Sequence, residues 1–127
     1  MKKETKYWLE TAEYDFDTAK AMFRTRRYLY VIFMCHLCLE KMLKGCVAEF
    51  TNIFPPRTHN LDMLVEVTKL ELPDEMGDFI RKLSTQSVPT RYPKDLKQFT
   101  RSQAQDYLQQ TEGVLLWLRQ KLTSKER

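Results

Sequence analysis

Glycine is scarce in this chain, with only three in 127 residues. Tight β-hairpin turns depend on glycine for left-handed backbone conformations, so a turn-rich β protein is disfavoured. The alternation of apolar and polar residues that marks a half-buried strand is also missing. The chain is therefore expected to consist mainly of long helices.

The motifs of common enzyme classes are absent. The chain has no glycine-rich phosphate loop, no H-E-x-x-H, no pair of C-x-x-C motifs and no G-x-S-x-G. His36 and His59 are its two histidines, and they are the catalytic candidates because only they could act as general bases near neutral pH. No cofactor is predicted, and enzymatic activity stays open.

The chain has three cysteines, an odd number, and all of them (Cys35, Cys38 and Cys46) lie in one predicted helix. One helix face cannot satisfy disulfide geometry among them. The N-terminal MKKETKYWLE also lacks an apolar signal region, so we expect reduced thiols in a cytoplasmic protein. Small buried apolar side chains are the predicted role, with no metal; a zinc site with His36 or His59 is the alternative.

The longest apolar stretch, Tyr28 to Phe50, is predicted to be a buried helix rather than a membrane span. His36, Glu40, Lys41 and Lys44 interrupt it, whereas a span of about 20 residues carries few or no charges. Apolar side chains recur at steps of three and four, namely Ile32, Cys35, Leu39, Met42 and Cys46. A helix that is apolar nearly all round belongs inside a bundle. No membrane partner is predicted.

A narrow polar strip runs along this central helix, because His36, Glu40 and Lys44 recur at steps of four. Glu40 and Lys44 are spaced as an ion pair. If this ion pair is buried, it would serve specificity or a ligand rather than stability, because the cost of desolvating both charges can exceed their Coulombic attraction. Both a structural and a functional role stay open.

Four further helices are predicted around the central one. The first runs from about Thr5 to Arg24, and the others follow Pro55-Pro56, Pro73 and a capping box of Thr100 with Gln103. Thr58 or Asn60 would cap the helix after Pro55-Pro56. Residues 86–99 lack helical periodicity and are predicted to be a long connection with two extended X-Pro dipeptides. The predicted fold is all-α, an up-and-down four- or five-helix bundle forming one domain over 1–127.

Positive charge is unevenly spread. Positions 79–127 carry ten basic and four acidic residues, whereas positions 57–78 carry two and six. A basic half suits a polyanion such as nucleic acid, and solvated charge on long helices is the alternative. Arg24, Arg26 and Arg27 cluster after the first helix, where they favour the negative end of the helix dipole or contact phosphate.

Three residues outside the central helix are candidates for ligand contact. Arg91 and Tyr92 lie between two prolines, and a guanidinium beside an aromatic ring suits a phosphate and a stacked base. An Arg91 clamp on Glu40 is the structural alternative. His59 follows a stiff Pro-Pro loop, where its ring either contacts a ligand or packs on the central helix.

Four motifs in order resemble the HEPN domain, a small all-α domain of prokaryotes that also occurs in some larger eukaryotic proteins. They are W-L-E-x-A-E-Y-D-F-x-x-A-K from Trp8, H-L-C-L-E-K-M-L-K-G from His36, T-H-N-L-D-M-L from Thr58 and T-R-Y-P from Thr90. The resemblance covers nearly the whole chain. It implies a four- or five-helix bundle that usually forms a homodimer, often with a minimal nucleotidyltransferase partner in toxin–antitoxin pairs.

Active members of that family are metal-independent endoribonucleases with an Arg-x4-6-His motif, and this chain departs from it. Eight residues separate Arg27 from His36, nine separate Arg26 from His36, and one separates Arg57 from His59. Ribonuclease activity therefore does not follow from the resemblance.

The function predicted from the sequence is binding of a nucleotide or RNA. The contact candidates are Glu40, Lys44, His59, Arg91 and Tyr92. A metal-independent endoribonuclease using His36 or His59, and a non-catalytic dimeric interaction module, are the alternatives.

Overall fold

Six α-helices make up the fold in the computed structural model, which describes residues 1–124. They are α1 (Lys3–Arg24), α2 (Tyr28–Phe50), α3 (Leu61–Thr68), α4 (Asp74–Ser84), α5 (Ser87–Arg91) and α6 (Arg101–Ser124). No strand occurs in this part of the chain, so the predicted all-α class is confirmed. Positions 125–127, which belong to the predicted domain, lie outside the described residues.

The central position of α2 is confirmed, because α2 contacts each of the other five helices. Its side chains are buried on most sides, as the nearly continuous apolar circumference predicts. Ile32, Leu39 and Met42 have no exposed surface at all. Within the described residues, no helix is long and apolar enough to cross a bilayer.

Close approach of α1 and α2 depends on Gly45. A Cβ atom added at Gly45 would lie 3.0 Å from Leu9 Cδ1 and 3.1 Å from Trp8 Cβ, so these two side chains would have to shift by a few tenths of an ångström. The two helices are also joined nearby, where Thr5 Oγ1 donates to Glu49 Oε1 at 2.9 Å. The helix that carries the polar strip, α2, is therefore closely packed against α1.

Two predicted helix caps are present. Asn60 accepts a hydrogen bond from the Met63 backbone N–H, which identifies it as the cap of α3. Thr100 and Gln103 form a reciprocal capping box at the start of α6, with distances of 2.9 and 3.1 Å. These caps mark the ends of the non-helical segments that precede α3 and α6.

The prediction of an irregular segment over 86–99 was wrong at its beginning, because α5 forms there. Pro89 is the third residue of α5, and a first-turn N–H has no partner within the helix, so proline is tolerated. Val88-Pro89 is therefore helical rather than extended. The Thr90 hydroxyl and N–H both donate to the Gln86 carbonyl oxygen, which closes this short helix.

Candidate nucleic-acid site around Glu40 and His59

Glu40 lies at the centre of the polar cluster that the sequence predicts. Its side chain is buried on α2, and its two oxygens contact different partners. His59 Nδ1 lies 2.7 Å from Oε1, and Lys44 Nζ lies 3.3 Å from Oε2. The stiff Pro55-Pro56 loop and the Asn60 cap thus bring His59 onto the middle of α2.

The contact with Glu40 determines how the His59 ring can act. An ionised carboxylate only accepts hydrogen bonds, so His59 Nδ1 must carry the proton and donate it. Nε2 then faces away from Glu40, and the His59 side chain is 59% exposed. This nitrogen can accept a proton from a ligand, or donate one to it when the ring is charged.

Arg91 lies beside the same ring. Its Nη2 is 3.5 Å from His59 Nδ1, but that nitrogen already donates to Glu40, so this is a neighbouring charge rather than a hydrogen bond. Arg91 Nη1 donates to the Ser87 carbonyl and hydroxyl oxygens at 3.1 and 2.8 Å. Its guanidinium carbon lies 5.2 Å from the centre of the Phe33 ring. The alternative of an Arg91 clamp on Glu40 is wrong, because no ion pair joins them in the described structure.

His36 is placed behind this surface and is buried. Its Nδ1 lies 3.9 Å from Glu40 Oε1, and its Nε2 has no hydrogen-bond partner among the described residues. Burial is the largest influence and lowers the pKa of His36 from 6.5 to about 4, although the Glu40 charge acts in the opposite direction. His36 is therefore neutral at pH 7 and packs in the core next to Glu40.

Lys44 and Tyr92, the two remaining predicted contacts, differ in exposure. The Lys44 side chain is 12% exposed and lies 5.8 Å above the Trp8 ring, so it mainly neutralises Glu40. Tyr92 follows Arg91 directly and is 75% exposed. Glu40, Lys44 and Arg91 together carry a net charge of about +1, and protonation of His59 would add another.

The cysteines lie apart from this surface and are free, buried thiols. Burial raises the pKa of Cys35 and of Cys46 to about 12, so both are protonated near neutral pH. Among the described residues, no three histidine, cysteine or acidic side chains are arranged to hold a metal ion.

The HEPN domain family model matches residues 5–121, which is nearly the whole chain. The chain belongs to the HEPN family. Two solved structures share this HEPN protein's fold. TT1696 from Thermus thermophilus is 19% identical with a TM-score of 0.82, covering 94% of this chain and 99% of that one. The archaeal HEPN homologue ST0689 is 23% identical with a TM-score of 0.78, covering 96% and 99%. No curated protein matched.

Three side chains that contact the candidate site of this HEPN protein were not predicted from its sequence, namely Phe33 beside Arg91, Ser87 beside Arg91 and Trp8 beside Lys44. Ser87 and Arg91 are four residues apart, a spacing that brings side chains together on a helix. That signal was hidden because the segment was predicted to be irregular. Phe33 and Trp8 resemble ordinary core aromatics in sequence.

Proposed function

We propose that this HEPN protein binds RNA or a nucleotide on the surface formed by His59, Arg91 and Tyr92. The observation that supports this most strongly is the environment of the Arg91 guanidinium. It lies 3.5 Å from the exposed His59 ring and has no carboxylate partner among the described residues. A cation placed in this way is available to an anionic ligand.

Arg91 is prepared for a phosphate before any ligand arrives. Both hydrogen bonds to Ser87 come from one guanidinium nitrogen, Nη1, so donors on the other nitrogens remain. The Phe33 ring centre lies 5.2 Å from the guanidinium carbon, which gives Arg91 a cation–π contact. Less side-chain entropy is lost on binding when the donor is already ordered. In this proposal the phosphate contacts Arg91 and His59 Nε2.

The remaining members of the cluster have separate roles in the proposal. Glu40 orients His59, and Lys44 neutralises the Glu40 charge so that it does not repel a phosphate. Tyr92 is exposed and supplies a ring on which a base can stack, a contact worth about 1–3 kcal/mol in single-strand complexes.

A titration with labelled single-stranded RNA at low ionic strength tests this function. We expect Arg91→Gln to weaken binding roughly tenfold, because one phosphate contact is lost, and to reduce the salt dependence of the affinity. Arg81→Gln is the matched control, since Arg81 is an exposed arginine paired with Asp78. Equal affinities of the wild type and Arg91→Gln would reject the site.

Family membership supports two further parts of the proposal, a homodimer and a nucleotidyltransferase partner in a toxin–antitoxin pair. Leu116 of α6 is 57% exposed, so this helix retains apolar surface that another chain could cover. Light scattering on the purified protein tests the dimer, and co-purification with an adjacently encoded nucleotidyltransferase tests the partner. If dimers form without RNA binding, the protein is the non-catalytic interaction module.

The Glu40–His59 pair favours a second function, metal-independent RNA cleavage. With Nδ1 bound to Glu40, His59 Nε2 could take the proton of a ribose 2′-hydroxyl. The 2′-oxygen would bond to phosphorus, the P–O5′ bond would break, and the leaving 5′-oxygen would take a proton from water. The products would be a 2′,3′-cyclic phosphate and a 5′-hydroxyl. Arg91 would hold the phosphate.

RNA incubated with purified protein and a metal chelator distinguishes cleavage from binding alone. We expect His59→Gln to lower the cleavage rate about 10²- to 10⁴-fold, the usual contribution of a general base. Equal cleavage by wild type and His59→Gln would identify a contaminating nuclease. RNA that stays intact while bound would leave the binding function alone.

A further inference from the structure

Two adjoining cavities open beside the turn that joins α1 to α2. One has a volume of about 580 Å³, and its lining includes Arg26, Arg27, Tyr28, Tyr30 and Lys97. The other, of about 640 Å³, is lined by Phe23, Arg24, Arg26, Tyr28 and Arg101. Arg26 and Tyr28 line both, so we treat them as one surface and call it the turn pocket.

The turn pocket is rich in unpaired positive charge. Its five cations, Arg24, Arg26, Arg27, Lys97 and Arg101, form no ion pair with a carboxylate of the described residues. Ion pairs elsewhere engage Lys20, Lys41, Lys44, Arg81 and Arg119. No acidic side chain lines the pocket, and the first turn of α2 has none either. Concentrated charge of one sign attracts a polyanion.

Arg26 occupies a backbone position where glycine would be favoured. It follows α1 in the left-handed region at φ 64°, and the Arg27 N–H donates to the Met22 carbonyl in the hydrogen bonding of a Schellman motif. Such a position disfavours a residue with a Cβ atom. The backbone conformation at this helix end therefore gives no reason for an arginine, and Arg26 lines both cavities.

Two aromatic rings connect the turn pocket with Arg91. Tyr30 lines the pocket and is 42% exposed, and its ring packs edge-on against Phe33 with centroids 6.5 Å apart. Phe33 is the ring beneath the Arg91 guanidinium. Tyr30 and Phe33 thus lie between the cations of the turn pocket and Arg91. Single-strand nucleic-acid sites have this composition, because phosphates bind cations and bases stack on aromatic rings.

We propose that the turn pocket extends the Arg91 site, so that the ligand is a single-stranded RNA segment rather than a mononucleotide. This inference rests on the proposed binding function at His59 and Arg91. Phosphates of the strand contact Arg26, Arg27 and Lys97, and bases stack along Tyr30. In this proposal a longer strand contacts more of these cations than a mononucleotide does, so affinity rises with the length of the strand.

Fluorescence anisotropy with labelled oligouridylates tests this extension. The probes are a dinucleotide and an oligomer of about eight nucleotides, within the usual length of a single-strand site. Wild-type protein is expected to bind the longer oligomer much more tightly. Lys97→Gln removes one cation of the turn pocket and is expected to weaken only that oligomer, roughly threefold to tenfold.

Arg26→Gly separates binding from folding. Glycine suits the φ of 64°, so the thermal unfolding temperature is expected to hold or rise while affinity for the longer oligomer falls. The magnitude of its log–log salt slope is expected to fall by about 0.7, the value for one single-strand phosphate contact. Lys69→Gly is the matched control, because Lys69 is also left-handed, at φ 61°, and lines neither cavity.

The outcomes separate this inference from the proposed function. If Arg26→Gly and Lys97→Gln bind the longer oligomer as the wild type does, the extension is overturned while the Arg91 site stands. Equal affinity for a double-stranded RNA of the same length also overturns it. If the wild type binds neither oligomer at low salt, the proposed function fails and the extension fails with it.

Discussion

One buried carboxylate contacts two basic side chains: Glu40 Oε1 lies 2.7 Å from His59 Nδ1, and its Oε2 lies 3.3 Å from Lys44 Nζ. The same group therefore sets the tautomer of an exposed imidazole and compensates a mostly buried ammonium. Because the Glu40 side chain is only 6% exposed, loss of its partners would leave a poorly solvated charge.

Glu40→Gln is expected to lower the free energy of unfolding by about 3 kcal/mol, since it leaves the Lys44 charge buried without a carboxylate. Lys44→Met is expected to be destabilising for the converse reason. The double variant should lose less stability than the sum of the two, by about 1–3 kcal/mol. Urea unfolding of all four proteins measures this coupling, and strictly additive losses would contradict a coupled pair.

Stability is expected to depend on pH through His36, whose pKa is lowered to about 4 by burial. Between pH 4 and 6.5 the unfolded chain binds a proton that the folded chain does not, so unfolding becomes easier as the pH falls. The contribution of neutral His36 is complete above about pH 6.5 and decreases by up to roughly 3 kcal/mol towards about pH 4.

Comparison with His36→Gln isolates this effect, because other groups titrate in both proteins. The difference in unfolding free energy between wild type and variant should change between about pH 7 and pH 5, with the wild type losing more stability. Parallel pH profiles for the two proteins would show that His36 does not titrate in this way.

Gly45→Leu is expected to destabilise the protein by about 1–3 kcal/mol or more, because the new side chain would overlap Leu9 and Trp8. Gly113→Leu is the matched control on α6, where an added Cβ has no neighbour within 4 Å. That change should be neutral or stabilising by up to about 1 kcal/mol through helix propensity. Thermal unfolding measures both, and similar shifts would argue against the close helix contact.

Asn60→Ala is expected to cost about 1 kcal/mol of stability through loss of the α3 cap. Because Asn60 follows His59 directly, RNA affinity should also fall if the cap holds the ring on Glu40. Asn60→Ser keeps a capping oxygen and should restore both properties. Circular dichroism and the RNA titration measure the two effects, and an affinity unchanged by Asn60→Ala would mean that the loop holds His59 without the cap.

Most of the helical framework could be predicted because its signals are local. Three-and-four spacing indicated the buried faces, and Asn60 and the Thr100–Gln103 box carried capping chemistry. Pro55-Pro56 required α2 to end before them, and it ends at Phe50. The short helix α5 was missed because proline counts against a helix everywhere except its first turn. Whether Pro89 falls in a first turn depends on where the helix begins, which local sequence did not indicate.

The sequence by itself determined that α2 would be the buried centre of a helical bundle, since only burial on several sides satisfies so continuous an apolar surface. It also placed Glu40 and Lys44 on one face of that helix. Only the tertiary structure decided that His59 and Arg91 join them, at 2.7 Å from Glu40 and 3.5 Å from His59. Those contacts span 19 and 32 residues, and such distant pairings depend on how whole helices pack rather than on any periodicity along the chain.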